Sequence, residues 1–283
     1  MLALFSFALI LFSLFLLRRF GLDWLRRAEP EVRSGGGPWD SSHLLLIVSV
    51  GLVFQVIAGS LVNLYAEARG IDPSQARAGV VLLSNAFWQG MLGATLLLVA
   101  RDSSSGFASL GLSGMRMRAV ALGLGFYLLA LPGILGTGAL WSLSLEGFSG
   151  EAPTQAVQEL IAGARGSDLF LAAVLAIVVI PFLEELVFRG WLQGWISQRL
   201  GSLQGILISA ALFAVLHGVS ALLPIFVLAL VLGTVRHCTD SLAPVWAIHA
   251  VHNGSQLAIL FLFVDPQETP PPGLPAYLAS LPL

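Results

Sequence analysis

Apolar runs of roughly 17 residues or more recur along the whole chain, and no water-soluble fold has an interior large enough to hide them all. A helix rises about 1.5 Å per residue, so about 20 such residues cross a hydrocarbon core about 30 Å thick. Only 11% of the 283 residues are charged, against about 25% in a typical soluble domain. The expected architecture is therefore all-α: a polytopic helical membrane protein of about eight spans. They are expected at residues 2–17, 43–65, 79–100, 119–143, 169–198, 203–219, 222–235 and 244–264. The partner implied by composition is the lipid bilayer itself.

Charge and cysteine content remove other classes. The net charge is -2 and no basic block is dense enough to track phosphates, so nucleic acid is not an expected partner. The single cysteine, Cys238, rules out an internal disulfide framework and a cysteine metal cluster. The first span lacks a basic stretch ahead of it and is followed by Arg18, Arg19, Arg26 and Arg27, so it reads as an anchor rather than a cleaved signal. With the N-terminus outside, ten arginines fall in cytoplasmic loops and three outside, leaving Arg189 inside a span. A signal-less chain whose basic residues are all arginine fits a bacterial cytoplasmic membrane. The connection Glu146–Asp168 includes a short amphipathic piece, Ala156–Ile161, suited to a connecting helix or a surface lid.

An ionisable side chain at bilayer depth costs at least about 2.5 to 3.5 kcal/mol, so the few that occur mark a cavity or a function. The densest group is Glu184, Glu185 and Arg189, directly after the apolar run Leu169–Ile180. Glu185 and Arg189 are four apart in the favourable order and should pair. Glu184 is rotated about 100° away and lacks that partner, which suits a general base. Two further sites stand out: His217 at the end of a span, and His249 with Asn253, four apart on one face. His252 could join the edge of that face. Taken singly, each has a plain reading: a buried structural network or proton relay, an interfacial histidine, helix-to-helix glue.

Depth joins them. Glu184 lies 17 residues before the Leu200-Gly201-Ser202 break and His217 lies 16 after Gly201, so in an antiparallel hairpin both sit roughly 24 to 26 Å from the turn. Arg189 and Phe213, each 12 residues from Gly201, match likewise. The returning last span would bring His249 and Asn253 to the same cavity. There Glu184, helped by His217, can take a proton from water, and His249 with Asn253 can donate to the developing oxyanion. Ser220 and Ser255 are weaker candidates as nucleophiles. The same residues allow a metal reading, with Glu184, His217 and His249 as zinc ligands, though an ion-free site with no cofactor is favoured.

The ordered trio Glu184-Glu185-x-x-x-Arg189, Phe213-x-x-x-His217 and His249-x-x-x-Asn253 resembles the CAAX protease and bacteriocin-processing family, which includes the Rce-type prenyl-protein endopeptidases and the proteins called ABI or CPBP. The resemblance covers roughly residues 168–262. It implies an intramembrane endopeptidase acting on a membrane-associated or lipidated peptide or protein. By that resemblance Glu184 and His217 activate water, His249 and Asn253 hold the oxyanion, and Glu185 holds Arg189. Members are described both as metalloproteases and as glutamate proteases. The expected division is 1–145, membrane helices of unassigned role, and 168–264, the catalytic membrane domain in the C-terminal four-helix half. The alternative is a non-enzymatic membrane protein, an immunity factor or a small transporter. A transporter tends to repeat its broken helices in both halves, and here the charges occur in one half only.

Overall fold

The computed structural model describes residues 2–27, 37, 39–112, 116–149, 161 and 164–263, and these are helical without strands. Among them, eight main helices stand at the eight expected positions: α1 (Leu2–Arg26), α2 (Ser41–Arg69), α3 (Ala78–Arg101), α4 (Met117–Ser149), α5 (Gly166–Leu200), α6 (Ser202–Leu216), α7 (Leu222–Thr239) and α8 (Ala243–Phe263). Most of the amphipathic piece expected at 156–161 and the proline-rich stretch from residue 265 lie outside the described residues.

Six of the eight are long and apolar enough to cross a membrane by length and composition. The chain is thus an integral, multi-pass membrane protein. α6, with 15 residues, falls short of a full crossing, and α8 has its apolar run broken by His249, His252, Asn253, Ser255 and Gln256. Lipid exposure is graded across the bundle. Only 11% of the apolar stretch of α1 and of α2 is buried, whereas 56% is buried in the helix that includes α7. The outer helices thus present Leu4, Phe5, Leu45, Leu52 and Val56 outward, as a chain solvated by hydrocarbon should.

The helices associate in a definite order. α1 packs along α4, α2 along α3, and α5, α6 and α7 neighbour one another, with α4 closing over α7 and α8 and α3 lying against α5. The α1 and α4 backbones approach closely at small residues: a Cβ at Gly136 would stand 2.5 Å from the Ser6 carbonyl oxygen, and Ser13 Oγ donates to Leu129 O at 2.9 Å. The expected break at Gly201 is present, with φ of 96°, a conformation that favours glycine. Arg189 Nη2 reaches Ala229 O and Gln193 Nε2 reaches Gly233 O, each four residues on from the last in both helices, so α5 and α7 run parallel with α6 returning between them.

The loop ends rich in arginine meet at one end of the bundle. Arg199 Nη2 donates to Trp39 O at 3.1 Å, Arg116 Nη2 to Thr239 O at 2.6 Å, and Leu242 N to Gly111 O at 2.9 Å. Beside them Asp40 caps α2, accepting from Ser42 N and His43 N, and the Ser42 hydroxyl above all holds its carboxyl down at about 2. A reporter active only in the cytoplasm is expected to work when fused after Arg101 or Arg199 and to fail after Ala76. Activity after Ala76 together with silence after the two arginines would turn the protein over in the membrane.

Candidate active site

α5 is an interrupted helix, and its first interruption stands just before a proline. Residues Leu175–Val179 form a widened turn in which Ile180 N donates five residues back to Leu175 O. The next rung of that ladder would run from residue 181 to Ala176, and Pro181 has no N–H to give. A second widened stretch, Leu186–Leu192, follows, where Gln193 N donates to Phe188 O. The carboxylates Glu184 and Glu185 occupy the last turn of the short regular helix between the two. Such wide turns turn the residues after them to new faces of the helix.

The expected pair is formed and buried. Arg189 Nη1 donates to Glu185 Oε1 at 2.8 Å, with both side chains fully buried. The same oxygen accepts His249 Nδ1 at 2.7 Å, so Glu185 ties α5 to α8 as well as to its own helix. Because the carboxylate can only accept, Nδ1 carries a proton and Nε2 is the atom that faces Glu184, whose Oε2 lies 3.8 Å away. That separation is an ion-pair distance and too long for a direct hydrogen bond. Glu184 is less enclosed than Glu185, with 15% of its side chain exposed. The arrangement of one anchored and one unanchored carboxylate is the one the spacing suggested.

Phe213 is the floor shared by these groups. Its ring centroid is 4.3 Å from that of His217 and 5.9 Å from that of His249, and the Arg189 guanidinium carbon lies 4.3 Å over its face. The contact between Arg189 and Phe213 bears out the level matching around Gly201. His217 stands just past the end of α6, half-buried, with Nδ1 on Phe213 O at 2.7 Å. A carbonyl accepts, so the neutral ring keeps its proton on Nδ1 and offers a lone pair at Nε2. No hydrogen bond among the described residues joins His217 to Glu184; the two meet through the Phe213 and His249 rings.

Asn253 bonds to the α5 backbone rather than to either glutamate. Its Nδ2 donates to Ala176 O at 2.9 Å, the carbonyl that Pro181 leaves without a donor, and its Oδ1 is buried without a partner among the described residues. α8 meets α5 through three polar contacts, Trp246 Nε1 on Val178 O, His249 on Glu185 and Asn253 on Ala176. His252 turns the other way, its Nδ1 2.9 Å from the Tyr127 hydroxyl of α4, and so does not share the His249 face. Ser255 Oγ donates to His252 O at 2.7 Å, which leaves it no mark of an activated nucleophile.

One contributor was not anticipated. Gln89 of α3, buried, donates through Nε2 to Glu184 Oε1 at 3.4 Å and to Asn85 Oδ1 at 3.1 Å. The signal was present in the sequence as two amides four apart, Asn85 and Gln89, inside an apolar span. Attention to ionisable residues alone passes over it.

The donor set fits a tetrahedral zinc site poorly. Zinc needs three protein ligands and an open position. Among the described residues no three His, Cys, Asp or Glu side chains are grouped to hold an ion.

A buried Glu–Arg pair and a second glutamate on α5, a histidine on a shared phenylalanine at the end of α6, and on α8 the imidazole that faces that glutamate direct the comparison with known families. Residues 166–255 match the Rce1-like family, described as type II CAAX prenyl endopeptidase Rce1-like. The Rce1-like segment opens at the first residue of α5 and ends within α8, so it carries Glu184, Glu185, Arg189, His217, His249 and Asn253, the residues that showed the resemblance. α3, with Gln89, lies outside it. Comparison with curated proteins and with solved structures gives no match.

Proposed function

We propose that this protein is an intramembrane endopeptidase that hydrolyses a peptide bond in a membrane-associated or lipidated peptide or protein. One observation carries the reading. Within a segment matching CAAX-type endopeptidases, Glu184 pairs with no arginine among the described residues and faces His249 Nε2, while the neighbouring buried charges Glu185 and Arg189 are already paired. Residues 168–264 are the catalytic domain in this reading, with α6 and α8 completing eight crossings and residues 1–145 an N-terminal part from which α3 brings Gln89 to Glu184.

Glu184 accepts a proton from water as the water oxygen attacks the scissile carbonyl carbon, and His217 Nε2 assists. The carbonyl π pair moves onto oxygen, giving a tetrahedral oxyanion. His249 donates to that oxyanion from Nε2, and Asn253 from the Nδ2 hydrogen not used on Ala176. Donation from Nε2 while Nδ1 remains on Glu185 calls for the doubly protonated ring. Glu184, Glu185, Arg189 and His249 then sum to zero formal charge, the condition under which a buried cluster is least costly. Collapse of the oxyanion breaks the C–N bond, and the proton held by Glu184 passes to the leaving amine.

We favour this ion-free route, supported by the poor grouping of zinc ligands. The test uses a quenched fluorescent peptide ending in farnesyl-cysteine and three further residues, with its unlipidated twin, and the wild type purified in mild detergent. Cleavage is expected to survive dialysis against a strong chelator with bound metal measured by mass spectrometry. Activity that vanishes with the metal and returns with stoichiometric zinc overturns the ion-free route while leaving the same residues as the site. Cleavage of neither peptide, joined to identical membrane peptide profiles in wild-type and Glu184→Gln cells, overturns the endopeptidase reading itself.

A further inference from the structure

The hydrogen bonding around Gln89 is determined by a chain of donors and acceptors that starts at Trp88. An indole N–H can only donate, and Trp88 Nε1 bonds Asn85 Oδ1 at 2.7 Å, so Asn85 must present its oxygen there. Gln89, four residues on from Asn85 along α3, meets that same oxygen and must present nitrogen, which it does at 3.1 Å. An amide nitrogen has two hydrogens. The second points at Glu184 Oε1, 3.4 Å away. Catalytic hydrogen bonds are often long in the free enzyme and tighten with substrate.

Burial makes the choice of residue informative. Gln89 is 6% exposed and its Oε1 is buried with no partner among the described residues. An unpartnered buried carbonyl is unfavourable, so an aliphatic side chain would serve packing better at this place. What the amide supplies and an aliphatic side chain lacks is the N–H toward Glu184. Holding Oε1 from α3 leaves Oε2 on the side of His249 Nε2. We infer that Gln89 is a positioning residue for the Glu184 carboxylate, locked in orientation by Asn85 and Trp88, so that the N-terminal half of the chain completes a site whose other members lie in the Rce1-like segment. The inference rests on the reading of Glu184 as the base.

The test uses the full-length protein in detergent and the farnesylated probe. Gln89→Leu is expected to lower kcat about 10- to 100-fold with KM little changed, since a hydrogen bond to a charged group is lost and no substrate contact is. In the Glu184→Gln background the same change should add nothing to the loss, read on the residual single-turnover rate, which a purely structural role would not reproduce. Gln89→Glu, of the same size but with two acceptors, should not restore the rate. Without substrate, the infrared carboxylate band that disappears in Glu184→Gln should be displaced in Gln89→Leu, and Gln89→Met serves in its place if the leucine variant does not accumulate. Unchanged kcat in the active enzyme, an equal loss in both backgrounds, or an undisplaced band would overturn the positioning role. A wild type inactive on the probe with a displaced band would count against the endopeptidase reading and support the contact.

Discussion

Glu184→Gln and His217→Ala are each expected to abolish cleavage while leaving the protein folded and inserted in the membrane. Loss of a general base costs about 10²- to 10⁴-fold, and the amide at 184 has nearly the shape of the carboxylate. Neither residue is central to packing. Glu184 is not part of the Arg189 pair, and His217 is half-buried past the end of α6, bonded to a carbonyl of its own helix. The measurement is single-turnover cleavage of the lipidated probe beside thermal unfolding in the same detergent. Near-normal turnover in either variant removes that residue from the chemistry. A large fall in unfolding temperature would reassign it to structure.

The Glu185 and Arg189 variants should fail in a different way. Glu185→Gln leaves the Arg189 charge buried without its carboxylate, at roughly 3 to 5 kcal/mol, and Arg189→Leu leaves Glu185 with His249 as its sole counter-charge among the described residues, so both should lower yield and unfolding temperature along with activity, the first by more. The double variant is expected to recover part of the stability, because no lone charge remains. It should not recover activity. Glu185 Oε1 also accepts His249 Nδ1 at 2.7 Å, and the orientation of Nε2 toward Glu184 depends on that bond. Singles as stable as the wild type would show that the pair is not the anchor. An active double variant would show that His249 is held by something else.

The pairs along one helix or across one tight turn were legible in the sequence. Glu185 with Arg189 follows from a spacing of four, and Arg189 against Phe213 follows from equal counts on either side of Gly201. Hydropathy gave the helices themselves, since the bilayer leaves backbone groups no alternative to pairing within a helix. What only the tertiary structure decided is lateral. Which face of α8 meets α5 sets His249 on Glu185 and Asn253 on the carbonyl that Pro181 leaves free. Which face of α3 meets α5 brings Gln89 to Glu184, and which face of α8 meets α4 turns His252 to Tyr127. Lipid and protein interior are equally apolar, so an apolar pattern hardly distinguishes the side of a membrane helix that faces its neighbours. Rotation and crossing are set by close packing of small residues, by wide turns in α5 and by single polar contacts between helices, and these exist only once the chain is folded.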